Sequence, residues 1–221
     1  MDWYSRAKRF GVWQASLSTV LRNLDKYLNF HFWTIQTRSP EPDYVPPEEH
    51  NNTIEFRKLT LEETLAAAHD PELGLTEKFV RCAFARDDIC TGALLKGTLV
   101  AYSWKTLTRA PVSNRLWIRI DRQPQFYGYK AFVLPQFRGK RLSPSVARAS
   151  DKHLVSAGAK WGVSYIAVSN LESRQANFRT ESRVLRGYAG YWRIGDFYWT
   201  FRTKGAKPFI EFEHSATNIS I

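Results

Sequence analysis

Val133-Leu134-Pro135-Gln136-Phe137-Arg138-Gly139-Lys140-Arg141-Leu142-Ser143-Pro144 is the stretch that decides how this chain is read. Upstream of it, Tyr127-Gly128-Tyr129-Lys130-Ala131-Phe132-Val133 is rich in aromatic and β-branched residues and reads as a strand. Downstream, Val146, Ala149, Ser150, His153 and Leu154 recur at helical spacing. Ser143 is expected as the helix N-cap and Pro144 at the first helical position, where a backbone N–H would have no partner anyway. A strand, a short glycine-containing turn and a helix start make an anion site, because the N–H groups converge and the helix dipole favours negative charge. Arg138, Lys140 and Arg141 add full positive charges. An ordinary strand–helix connection with solvated bases has the same composition, so the residues alone leave both readings open.

The segment resembles motif A of the GNAT superfamily, the acyl-CoA-dependent N-acyltransferases. That motif is a strand, then Arg or Gln, two residues, Gly, one residue, Gly or Ala, then a helix. Arg138-Gly139-Lys140-Arg141-Leu142-Ser143 fits its leading Arg and its Val-x-Pro-x-x-Arg-Gly approach. Two positions depart from it: Arg141 stands where the first motif glycine is usual, and Ser143 where Gly or Ala is usual.

Away from this segment, the composition is globular: 43% hydrophobic and 24% charged residues over 221 positions, enough for one domain with appendages. No run approaches membrane-spanning length and no signal peptide is legible. Cys82 and Cys90 make no disulfide framework, so a cytoplasmic location is expected. The five histidines and two cysteines show no metal-ligand spacing, and no metal is expected. The net charge of +11 is uneven: +4 over 1–38, −4 over 39–51, +2 over 52–127 and +9 over 128–221. Such a field attracts a polyanionic cofactor, nucleic acid or anionic lipid without choosing among them.

Along the chain, Phe10, Trp13, Leu17, Leu21, Leu24 and Leu28 mark residues 1–28 as an amphipathic helix, with Arg6, Lys8 and Arg9 ahead of the stripe. Packing on the domain or on a second subunit, as in a homodimer, is favoured over peripheral contact with the inner membrane face, although bases, Trp and Leu together also suit an interfacial helix. Phe30 to Ile35 reads as a strand. The four prolines and four acids of 39–51 read as a linker. Thr60 with Glu63 signals a capping box, Leu75 to Ala85 a second helix, and Lys96-Gly97 a hairpin turn between strands Ile89–Leu95 and Thr98–Trp104. Arg115–Asp121, Gly162–Ser169, Gly187–Ile194 and Phe197–Thr203 read as strands, and Leu171–Ser182 as a short helix. The expected domains are 1–38, a helix–strand appendage; 39–52, the linker; 53–207, the main domain; and 208–221, a tail.

This element order is similar to that of the GNAT fold over about residues 53–204. The resemblance implies an α/β (α+β) architecture, a mixed and mostly antiparallel central sheet flanked by helices. It implies acetyl-CoA or another acyl-CoA as co-substrate and a small-molecule primary amine as acceptor, with direct attack in a ternary complex. Arg138, Gly139, Lys140, Arg141, Leu142 and Ser143 would hold the phosphates. The backbones of Phe132, Val133 and Leu134 would hold the pantetheine and polarise the thioester carbonyl. Asn170, Ser173 and Asn177 occupy the positions of a second cofactor-binding motif; simple helix capping explains Asn170 equally well. Asn177 stands where a tyrosine general acid is usual in the family. The acid–base candidates are Asp121, which also reads as a turn carboxylate, and Tyr129, which also reads as packing. Competing readings are a long-chain acyltransferase acting on a lipid or envelope-precursor amine, a non-catalytic acyl-CoA-binding module, and, least favoured, a nucleic-acid binder.

Overall fold

In the computed structural model, residues 2–47, 53–121, 124–180 and 183–215 are described. The chain forms two compact units, one of residues 1–38 with 164–210, the other of residues 39–163 with 211–221. The architecture is mixed α/β, with mostly antiparallel sheet flanked by helices.

The first unit opens with α1 (Trp3–Phe10) and α2 (Val12–Leu28), two helices where the periodicity predicts one. The break is Gly11, at φ +90°, a conformation that costs glycine little. The buried residues of α2 are Ala15 and Ser18, not the large apolar stripe. Strand β1 (Phe30–Arg38) pairs antiparallel with the later strand Val184–Ile194 from Phe30↔Trp192 to Thr37↔Val184. A Cβ on Gly190 would lie 2.1 Å from the His31 carbonyl oxygen, so only glycine permits this approach. Phe30, Trp192 and Trp199 share one face of the paired strands. His31 shares the other with Trp33 and Tyr191, and its Nδ1 lies 2.9 Å from Asp25 of α2.

The second unit opens on residues 39–47. Glu41 pairs with Arg148 through Oε2–Nε at 2.9 Å and Oε1–Nη2 at 3.1 Å, and its N–H donates to Asp151 at 2.9 Å. Tyr44 Oη lies 2.9 Å from Ser145 Oγ. The predicted linker is thus strapped by its own side chains. Next come β2 (Ile54–Lys58), α3 (Leu61–Ala67) and α4 (Glu77–Phe84). Both bonds of the Thr60–Glu63 capping box are present. Strands β3 (Ile89–Leu95) and β4 (Thr98–Thr106) form the expected hairpin, with Lys96 at φ +49° and Gly97 at φ +81° in its turn.

Between the strands expected at Thr98–Trp104 and Arg115–Asp121 the chain forms a further strand. β5 (Arg109–Ser113) pairs with β6 (Leu116–Arg119), and the expected C-terminal tail adds a third strand, Glu211–His214. Arg109 and Arg119 both reach Glu213, at 2.9 and 3.4 Å.

Strand β7 (Gln125–Val133) pairs with β4 and leads to α5 (Leu142–Arg148) and α6 (Asp151–Ser156), two short helices in place of one. In this unit the strand order is β7-β4-β3-β2, and α5 packs on β4 over a core that includes Val80, Val100, Trp104, Leu142 and Val146. β8 (Trp161–Ala167) runs from this unit into the first. There α7 (Leu171–Thr180), β9 (Val184–Ile194) and β10 (Phe197–Arg202) follow, with β11 (Glu211–His214) closing the small sheet of the second unit.

Candidate functional site

The turn between β7 and α5 follows from three local facts. Pro135 starts a single 3₁₀ turn, Pro135–Phe137, in which Phe137 N–H donates to Leu134 O at 2.9 Å and Arg138 N–H to Pro135 O at 3.2 Å. Gly139 then takes φ +82° and Arg141 φ +55°, both left-handed. Leu142 is 1% exposed and pins the start of α5 to the core. The helix therefore begins two residues earlier than expected: Arg141 is the N-cap, and Ser143 and Pro144 lie inside the first turn. Arg141 holds the conformation that a glycine would adopt freely.

The consequence is a run of unused donors. The amides of Gly139, Lys140, Arg141, Leu142 and Ser143 donate to no carbonyl among the described residues. Alternating left-handed residues before a helix start form a concave nest suited to an anion. Pro144 contributes no N–H, so the nest ends at Ser143. Gly139, Lys140 and Arg141 line a cleft of about 550 Å³ with Phe137, Leu95, Ile54 and Thr53. Lys140 lies over the Phe137 ring at 5.3 Å. Arg138 is exposed, and its Nε donates to Val133 O at 3.2 Å. This part of the site suits an anion.

The strand end divides by backbone parity. Leu134 N–H donates to Val100 O at 3.0 Å, and Leu134 O accepts from Phe137. Both its groups are engaged, which removes Leu134 as a pantetheine partner. Phe132 is in register with Tyr102 and, two residues from Leu134, turns its amide to the same β4 side. Val133 and Ala131 turn theirs away from β4. Ala131 is not among the site residues that the sequence reading names.

Register breaks at Tyr129, because Lys130 pairs with Trp104 and Gly128 with Lys105. This bulge brings Tyr129 and Lys130 together against Phe79, with ring centroids 6.3 Å apart and Lys130 Nζ 4.3 Å from the Phe79 centroid. Tyr129 Oη donates to Asp88 Oδ2 at 2.9 Å. Arg86 grips the same oxygen with Nε at 3.1 Å and Nη2 at 2.7 Å. Asp88 is 2% exposed, and its Oδ1 makes no hydrogen bond of normal geometry among the described residues. Burial pushes its carboxyl above the usual range, against the pull of Arg86 and weaker help from Thr106 and Tyr129. Burial and the neighbouring Asp88 charge raise the Tyr129 phenol strongly. Asp88 is not among the candidates that the sequence offers. Nothing in local sequence distinguishes it, since only the fold buries it.

Asp121 has a different fate. Its carboxylate is 2.7 Å from Arg119 with 38% of its side chain exposed, a surface ion pair. In the first unit, Asn170 Oδ1 accepts from Ser173 N–H at 3.1 Å, the capping alternative. Asn177 lies beyond the residues whose side chains are described. Among the described residues, no group of three His, Cys, Asp or Glu side chains could hold a metal ion.

No protein-family model matches the sequence, and no curated protein is similar to it. Solved structures do match. One is an aminoglycoside acetyltransferase from an uncultured soil metagenomic sample in complex with sisomicin, at 10% identity over 59% of this chain and 88% of that one, TM-score 0.46. A GCN5-related N-acetyltransferase from Kribbella flavida is 14% identical over 72% of this chain and 56% of that one, TM-score 0.47. An aminoglycoside N-acetyltransferase, AAC(6')-Iy in complex with CoA, is 17% identical over 64% of this chain and 96% of that one, TM-score 0.45.

Proposed function

We propose that this chain is an acyl-CoA-dependent N-acyltransferase, with acetyl the favoured donor and a primary amine the acceptor. The observation that carries this reading is the run of five unused amides, 139–143, flanked by Arg138, Lys140 and Arg141 and opening on a cleft. Five converging donors with three cations are far more than a structural turn needs, and they suit a diphosphate. From that turn β7 leads back past Val133 and Ala131 to Tyr129, four residues or about 13 Å upstream of Val133 at the usual strand rise.

The chemistry then runs as direct attack on the thioester. The acceptor ammonium gives a proton through Tyr129 Oη to Asp88: the phenol passes its own proton to Oδ2 as it receives another. No phenolate accumulates, because burial disfavours it. Asp88 accepts the proton as a carboxylate, held by Arg86, whose proton affinity burial raises above the usual. The free amine attacks the carbonyl, an outward N–H on β7 stabilises the oxyanion, and the C–S bond breaks. The thiolate leaves with the proton that the attacking nitrogen sheds, and Asp88 returns its proton to solvent.

Thermal shift with acetyl-CoA, a long-chain acyl-CoA and free CoA tests the binding half. Saturation at a hundredfold Kd stabilises by about 2.7 kcal/mol, about 5–10 °C in a chain of this size, and Arg138→Ala should diminish the shift. Thiol release with a panel of amines tests turnover. Asp88→Asn and Tyr129→Phe should keep the CoA shift, lower the rate by about a hundredfold or more, and abolish the acidic limb of the rate profile. No shift with any of the three ligands would sink the assignment; CoA binding without thiol release would leave a binding module.

A further inference from the structure

We propose that α2 docks this protein on an anionic lipid bilayer surface through an outward stripe of Trp13, Leu17, Val20 and Tyr27. These residues stand at helical spacing of 4, 3 and 7, so they share one side of the helix. Their exposures are 78%, 40%, 54% and 68%. The inward side is Ala15 and Ser18, with Ser18 Oγ donating to Ser169 O at 2.7 Å. An amphipathic helix of a water-soluble fold normally buries its large apolar residues most deeply; here Ala15 and Ser18 are the deepest, Leu21 and Leu24 are half-buried, and the four stripe residues stay exposed, a partial reversal. The reversal is built in, because Ser18 and Arg22 both bond to the Ser169 carbonyl and fix the rotation of the helix.

Charge selects the occupant. Residues 2–28 carry five Lys/Arg against two Asp/Glu. Both acids are engaged: Asp2 caps α1 through Ser5, and Asp25 meets His31. Arg9, Lys8 and Lys26 are exposed. A basic helix that presents Trp, Leu, Val and Tyr has the composition of an interfacial anchor, with rings at headgroup depth and cations among lipid phosphates. A second copy of this chain would bring like charge to like charge. The stripe also exposes only about 500 Å² at roughly 200 Å² per large side chain, less than the ~800 Å² per partner of a stable interface. A nucleic acid would want bases interleaved with several rings, whereas among the described residues of this stripe Tyr27 alone has one against it, Lys26 at 5.0 Å. The exposed hairpin residues Phe197 and Trp199 form another apolar surface, but no charge pattern says what covers it. The proposal is independent of acyl transfer.

The test is co-sedimentation of the full chain with phosphatidylglycerol–phosphatidylcholine vesicles and with pure phosphatidylcholine vesicles, with tryptophan emission recorded. Expected are binding to the anionic vesicles alone, a blue shift, and weakening at high salt. The double variant Trp13→Ser/Leu17→Ser should bind at least about tenfold more weakly, since burial of one large apolar side chain is worth about that factor. Its melting curve should match the parent, because both side chains are exposed. Lys8→Glu/Arg9→Glu should remove the salt-sensitive part. The idea fails if the parent stays in the supernatant, or if the Ser variant binds as well as the parent. It also fails if the Ser variant instead breaks up a lipid-free dimer in sedimentation velocity, or loses affinity for a single-stranded oligonucleotide rather than for vesicles.

Discussion

Arg141→Gly should make this protein more stable and a poorer binder of CoA. Arg141 sits at φ +55°, ψ 21°, and its side chain makes no capping hydrogen bond to the helix that it opens. A left-handed conformation costs an L-residue roughly 1–2 kcal/mol, which glycine avoids. Glycine in turn loses about 0.5–1 kcal/mol through its extra freedom in the unfolded chain. The net gain is about 0.5 kcal/mol, or about 1–2 °C in melting temperature. Arg141→Ala keeps the strain without the charge and should show no such rise. In both variants a charge-assisted contact to phosphate is gone, and CoA affinity should fall about five- to tenfold at low salt. Differential scanning calorimetry with calorimetric CoA titration reads both quantities. Equal melting of the Gly and Ala variants would refute the strain argument. Unchanged CoA affinity in both would refute the placement of this guanidinium at the phosphates.

The Arg57 hydrogen bonds, then the Thr60 amide, hold the Glu63 carboxyl down at about 2, below its ordinary 4.5. The stability it lends is therefore complete above about 4.5 and lost as pH falls toward 2; urea melts should show Glu63→Gln flattening that acid slope. Gly190→Ala puts a Cβ 2.1 Å from the His31 carbonyl oxygen and should cost more than about 3 kcal/mol, seen as loss of soluble protein or a steep drop in urea midpoint. Burial pushes the Cys90 thiol up to about 12, while Cys82 is half-buried. A thiol reagent at pH 8 should thus modify Cys82 quickly and Cys90 only on unfolding; equal rates in the native protein would contradict the packing of β3.

Features decided within a few residues were legible in the sequence. The Thr60 capping box and the Lys96-Gly97 turn depend on neighbours and appear as expected, while the basic turn after β7 forms where expected but opens its helix two residues early. Those decided at long range were not. β5 becomes a strand because it pairs with β6, whose other edge takes β11, and Arg109 reaches across to Glu213, far away in sequence. The rotation of α2 depends on the Ser169 carbonyl, which no periodicity encodes. Asp88 differs from its neighbour Asp87 only through burial beneath Tyr129 and Arg86. Asp121, by contrast, pairs with Arg119, a strand neighbour, at the surface, and this contact is local in sequence.

The anchoring of residues 39–47 bears on how this protein can be cut and recombined. Glu41 and Tyr44 are three positions apart and fasten to Arg148 and Ser145, also three apart, on the helix that carries the amide nest. A shuffled or shortened chain starting at Thr53 would keep every strand of β7-β4-β3-β2. It would nonetheless take the Glu41 carboxylate away from a guanidinium that is only 7% exposed, at a cost on the order of 2 kcal/mol because Glu41 is itself partly solvated. Insertions between 41 and 44 should be tolerated no better, whereas extra residues beyond 47 touch none of these fastenings. The proline-rich piece behaves less as a tether than as a clasp, and a graft of the nest into another scaffold has to bring the clasp along.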